Sequence, residues 1–183
     1  METPKMEMPH YGYSGTGNMS DNDLVDGFLI RAEALYGPRF PGVTFEVQES
    51  PLGGQLHSEC DASANYVIIR LPAGQSEYNR AAQLAQESIH VLSPAVPDAK
   101  VFDIGLATLF AVRCNYPPPP PDRYEYRAAC MVVEWLDHLG PNAIKELRLN
   151  QPRVALIGEN EILHACRGLL RYAAHFLVQP IYG

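Results

Sequence analysis

The stretch QLAQESIHVLSP, residues 83–94, decides how the chain is read. Ser76 ahead of it suits a helix N-cap, because a serine hydroxyl can take an unpaired N–H of the first turn. Ser93-Pro94 closes it, because proline cannot continue a helix. Residues three and four apart are neighbours on a helix surface, so Gln83, Gln86, Glu87 and His90 fall on one polar stripe. Ala82, Ala85, Ile89 and Leu92 lie on one flank of it, Leu84 and Val91 on the other. A polar stripe between two apolar flanks points to a cleft wall; the plainer alternative is a solvated helix face.

Outward from this helix the chain divides into readable pieces. Residues 20–37, SDNDLVDGFLIRAEALYG, open on a Ser/Asp cap cluster, carry Leu24, Phe28, Ala32 and Leu35 near one face, and stop at Gly37-Pro38, which predicts a helix. Val43, Phe45 and Val47 alternate with polar residues in VTFEVQES, and ANYVIIRL is β-branched and aromatic, so two strands are expected, with GGQLHSEC as a candidate third. After Ser76 the pattern is helical. FDIGLATLFAV (102–112), YEYRAACMVVEWLDHLG (124–140), NAIKELRL (142–149) and GENEILHACRGLLRYAAHFL (158–177) each read as one helix, and the five prolines Pro117–Pro121 impose an extended segment between the first two. The expected class is α+β: a small antiparallel or mixed sheet packed on a helical bundle, forming one domain over residues 21–183. Residues 1–20, rich in Met, Gly, Ser and Tyr without apolar periodicity, are expected to form a mobile arm.

Composition excludes several function classes. With 183 residues and 46% hydrophobic content the chain suits one sizeable core. A formal net charge of -7 argues against a dedicated nucleic-acid surface, which needs a basic footprint. No apolar run approaches the roughly 18 residues of a membrane span, and METPKMEMPH lacks the apolar core of a signal peptide, so an acidic cytoplasmic protein is expected, with no membrane partner. Cys60, Cys114, Cys130 and Cys166 are scattered without a C-x-x-C pair and read as reduced packing residues.

Gln86-Glu87-Ser88-Ile89-His90 differs from His-Glu-x-x-His by its first residue, and Ile104-Gly105-Leu106-Ala107 differs from Glu-Gly-x-Ala in the same way. With the preceding strands, this order resembles the minimal core of gluzincin-type zinc metallopeptidases, over roughly residues 42–115. The resemblance implies a zincin-like fold in which Glu87 stands at the general base and His90 at the second zinc-binding histidine. Gln86 and Ile104 stand where the other two zinc ligands would be. A zinc site needs about three donors of nitrogen, sulfur or carboxylate type. An amide is a poor donor and isoleucine none, so His90 alone would hold zinc only weakly and no cofactor is expected. Asp103, one residue before Ile104, is a candidate replacement ligand or else the N-cap of its helix. His57 or Glu59 on the preceding strand could enter the same cleft.

Two functional expectations follow. In the first, the chain is a pseudoenzyme of metallopeptidase-like fold, a binding or regulatory module that takes a protein, peptide or small molecule in the former substrate cleft lined by Gln83, Gln86, Asp103 and His57. In the second it is an enzyme, a hydrolase or proton-transfer catalyst, with Glu87 and His90 as an i, i+3 acid–base pair, metal-free or on an atypical metal. The structural alternative for that pair is a mutual hydrogen bond beside the core. On the last helix, His164, Arg167, Arg171 and His175 form a basic stripe able to meet an anionic group, or a solvated face.

Overall fold

The computed structural model describes residues 20–50, 57–61, 65–94, 99–140 and 142–180, with the backbone alone for 57–61. Residues 1–19 of the expected arm lie outside these; Ser20 belongs to the first helix as its cap. That helix, α1, spans Asp21–Tyr36, and Ser20 and Asp23 satisfy each other's backbone N–H in a capping box. Its core face is Val25, Leu29, Ala32 and Tyr36, while Leu24, Phe28 and Leu35 pack at the margin.

Three strands follow: β1 (Thr44–Ser50), β2 (His57–Asp61) and β3 (Tyr66–Pro72). The sheet order is β1-β3-β2, with β1 parallel and β2 antiparallel to β3, so the sheet is mixed. β3 is the central strand. Val67, Ile69 and Leu71 are fully buried while Tyr66, Ile68 and Arg70 between them are half-buried, the period of two that points alternate side chains to opposite faces.

The helices are α2 (Glu77–Leu92), α3 (Val101–Arg113), α4 (Tyr124–Leu139), α5 (Ala143–Asn150), α6 (Glu159–Ala165) and α7 (Arg171–Leu177), with a 3-10 turn at Val154–Leu156. α2 packs against α1, α3 and β3 at once, which makes it the hub of the fold. Two contacts fix its direction. Arg80 in its first turns binds Asp21 at the start of α1, and the carbonyl of Leu92 at its end takes the N–H of Phe40 just past α1, so α1 and α2 run parallel. Tyr116, beyond the end of α3, meets Tyr78 at the start of α2 with ring centroids 5.5 Å apart, so α3 runs back antiparallel to α2.

A buried arginine clamps the end of the α1–α2 pair. Arg148 of α5 is 2% exposed and donates to the carbonyls of Tyr36, Gly37, Pro38 and Leu92 at 2.8 to 3.0 Å. These are carbonyls that helix ends leave without an intrahelical donor. Burial pulls its guanidinium down to about 10, against the opposing pull of Glu33.

The single last helix expected over residues 158–177 is two helices, α6 and α7, separated by a turn through Arg167 and Gly168. The proposed basic stripe is therefore broken. Arg171 and His175 on α7 turn to Glu159 on α6, each at 3.1 Å, and that pairing with His175 and Arg171 holds the Glu159 carboxyl below its usual range. Of the cysteines, Cys114, Cys130 and Cys166 are free thiols, the latter two buried; burial pushes Cys114 and Cys130 up to about 11. The side chain of Cys60 lies outside the described residues. No helix among the described residues is long and apolar enough to cross a membrane.

Candidate functional site

The stripe of α2 starts from a secure N-terminus. The Ser76 hydroxyl accepts the N–H of Asn79 at 3.3 Å, and Ser93 closes the helix with its N–H on the Ile89 carbonyl. The apolar residues on both flanks are buried: Leu84, Ala85, Ile89, Val91 and Leu92 are each at or below 1% exposure. Ser88 is buried too and satisfies itself by donating to the Leu84 carbonyl at 2.7 Å.

Glu87 is only 8% exposed, and Gln83, Gln86 and His90 are half-buried. The stripe is thus not a solvated face. Nor is it a satisfied polar network: Gln83 Oε1, Glu87 Oε2 and His90 Nδ1 are all buried without a hydrogen-bond partner among the described residues. The mutual bond that would have made Glu87 and His90 a structural pair does not join these atoms. Spaced i, i+4 and i+7, the three residues stand above one another on consecutive turns of one face.

Asp103 is a buried carboxyl on α3. It is 2% exposed and sits in the first turn of α3, three residues after the N-cap Lys100, so the N-cap expected of Asp103 itself is corrected. One carboxyl oxygen takes the backbone N–H of Lys100 at 3.0 Å. Burial raises its carboxyl above the usual range, opposed by that N–H and by the nearby charges of His90 and Lys100. Ile104 is half-buried and Gly105 is packed against α4. His57 is opposite Arg70 on β2, at the edge of the sheet; its side chain, like that of Glu59, lies outside the described residues.

Among the described residues the donors at the positions the resemblance implies do not fit zinc. Gln86 and Ile104 supply no adequate donor, and among the described residues no group of three or more His, Cys, Asp or Glu side chains is placed to hold a metal ion. What the arrangement can do is accept hydrogen bonds, and it can hold a proton at His90 or Glu87 within reach of a molecule seated there. A separate open depression of about 770 Å³ lies between α5 and α6, lined by Glu146, Leu149, Asn160 and His164 among others, and includes none of the stripe.

Arg148 is the residue of consequence that reading the sequence overlooked. Its signal was present: it follows Ile144 by four residues and Leu147 by one, on the face of α5 that is otherwise apolar and buried. No protein-family model, curated protein or solved structure matches the chain.

Proposed function

We propose that the chain is a zincin-like binding or regulatory module that takes a ligand along the polar stripe of α2 without zinc. One observation carries this reading: three buried polar atoms without partners among the described residues, Gln83 Oε1, Glu87 Oε2 and His90 Nδ1, on consecutive turns of the hub helix. Each such orphan costs about 1–3 kcal/mol in the folded state, a large sum beside a typical net stability of roughly 5–15 kcal/mol. A molecule that supplies the missing partners recovers that cost on binding. Function therefore explains a set of groups that stability alone opposes.

The test needs no knowledge of the ligand. Glu87→Met replaces the orphaned carboxyl with an apolar side chain of similar length. It should raise the melting temperature of the free protein by about 2–4 °C for each kcal/mol recovered. A lower melting temperature would show that Glu87 has a structural role and would sink the reading.

A second reading, an enzyme using Glu87 and His90, is favoured by the same absence of competing bonds, which leaves both groups free to exchange protons with a substrate. Hydrolysis of a fluorogenic peptide library by the purified chain, lost in both Glu87→Gln and His90→Ala, would select it over the binding module.

A further inference from the structure

We propose that the group received at the polar stripe of α2 is an organic nitrogen cation, a guanidinium or an alkylammonium, held by Gln83 and Glu87 beside His90. The proposal rests on the reading of the stripe as a binding site and adds the chemistry of its occupant.

The unfilled valences are mainly those of acceptors. A glutamine Oε1 can only accept; an ionised carboxylate can only accept; the imidazole Nδ1 accepts in the tautomer that carries its proton on Nε2. A ligand that completes the set must bring N–H or O–H donors. Charge then selects among donors. The buried carboxyl side chain at this place, that of Glu87, disfavours any anion. The nearby cations are already engaged: Arg80 is bound to Asp21 and Glu49, and the Lys100 ammonium donates to the Ile157 carbonyl at 3.4 Å while also acting on Asp103.

Geometry favours a group with several donors. Gln83 and Glu87 are separated by about 6 Å along the helix axis, and Glu87 and His90 by about 4.5 Å, at 1.5 Å per residue. A guanidinium presents five N–H donors in a rigid plane and can meet two neighbouring stripe residues at once. An alkylammonium presents three from one atom and would centre on Glu87. The same cation could belong to a free amine or to an arginine or lysine side chain of a peptide.

Calorimetric titration of the intact chain tests this with ethylguanidinium chloride, agmatine, cadaverine and the blocked tripeptide acetyl-Gly-Arg-Gly-amide, against the neutral isostere ethylurea. Saturable binding of at least one cation and none of ethylurea is expected, weakened at least tenfold in Glu87→Gln and in Gln83→Leu. Tighter binding of agmatine or cadaverine would assign the cation to a small molecule, tighter binding of the tripeptide to a peptide partner; either supports the proposal. Binding unchanged in both variants would place the cation elsewhere and overturn it. No cation bound, with Glu87→Met still raising the melting temperature, would overturn the ligand class and leave the site standing. No cation bound with Glu87→Met lowering it would overturn both.

Discussion

Gly105 of α3 lies directly against the backbone of Ala129 in α4: a Cβ at Gly105 would stand 2.6 Å from the Ala129 carbonyl oxygen and 2.6 Å from Val133 Cγ2. Because one obstacle is backbone, relief requires α3 and α4 to separate. Gly105→Ala should therefore destabilise by about 1–3 kcal/mol or more, as overpacking does. Gly27, exposed in the middle of α1 with nothing within 4 Å of its Cβ position, gives the opposite sign: Gly27→Ala should stabilise by about 0.5–1 kcal/mol. Denaturant unfolding of the two variants checks both. The pair also separates packing from ancestry, since the glycine of the Gly105-Leu106-Ala107 resemblance has a sufficient reason in helix packing alone.

Arg148 makes a sharper case. Its removal takes donors from the carbonyls of Tyr36, Gly37, Pro38 and Leu92 together. Arg148→Met deletes a costly buried charge, yet the buried carbonyls of Tyr36 and Gly37 lose the donor that Arg148 supplies, and that penalty prevails. A loss of about 3–5 kcal/mol is expected, on the scale of breaking a buried charged network. Arg148→Lys should recover only part of it, because one ammonium cannot reproduce the spread of a guanidinium fork. Equal stability of Arg148→Met and the parent would refute the clamp.

Much of this frame was legible from residues. Ser20 and Ser76 announced their helices, and the β-branched, aromatic run ANYVIIRL announced the central strand. The polar stripe of α2 was legible because its flanks are apolar on both sides. The break between α6 and α7 was not. Ile162, Cys166, Leu169, Ala173 and Leu177 are all buried and spaced by four, three, four and four, so the apolar pattern continues through a turn that Gly168 alone marks. The inward side of α1 was missed by one position for a related reason: Leu24, Phe28 and Leu35 border the buried face and carry similar side chains to it. That Asp103 lies inside the first turn of α3 depends on where that helix begins, which the Lys100 N-cap decides and the sequence does not signal.

Asp103 predicts a pH dependence. Its folded carboxyl titrates above the unfolded value of 3.8, chiefly through burial. Below pH 3.8 the group is neutral in both states and costs nothing; as pH rises through the folded value, the folded state must ionise a buried group and loses stability. Asp103→Asn keeps an acceptor oxygen for the Lys100 N–H and removes that ionisation. Its melting temperature should exceed the parent's at pH 7–8, with the gap shrinking toward pH 4. A gap independent of pH would mean that Asp103 does not titrate in this way.

The resemblance to zinc peptidases can be tested by rebuilding the donors. Gln86→His with Ile104→Glu restores the two missing ligand types in the positions the resemblance implies. The structure makes a further distinction, because the carboxyl under the influence of His90 is that of Asp103, one residue earlier. One of its oxygens takes the Lys100 N–H, which leaves the other able to meet a metal. Gln86→His alone would then set two imidazoles on one helical face, with Asp103 as the candidate third donor that zinc requires. Zinc retained at one equivalent after dialysis of Gln86→His, and lost in Gln86→His/Asp103→Asn, is the expected result. Zinc bound only by the double variant with Ile104→Glu would instead make Ile104 the ligand position. Zinc bound by neither would make the likeness of QESIH to the zinc motif accidental and leave the stripe to be explained by its own ligand.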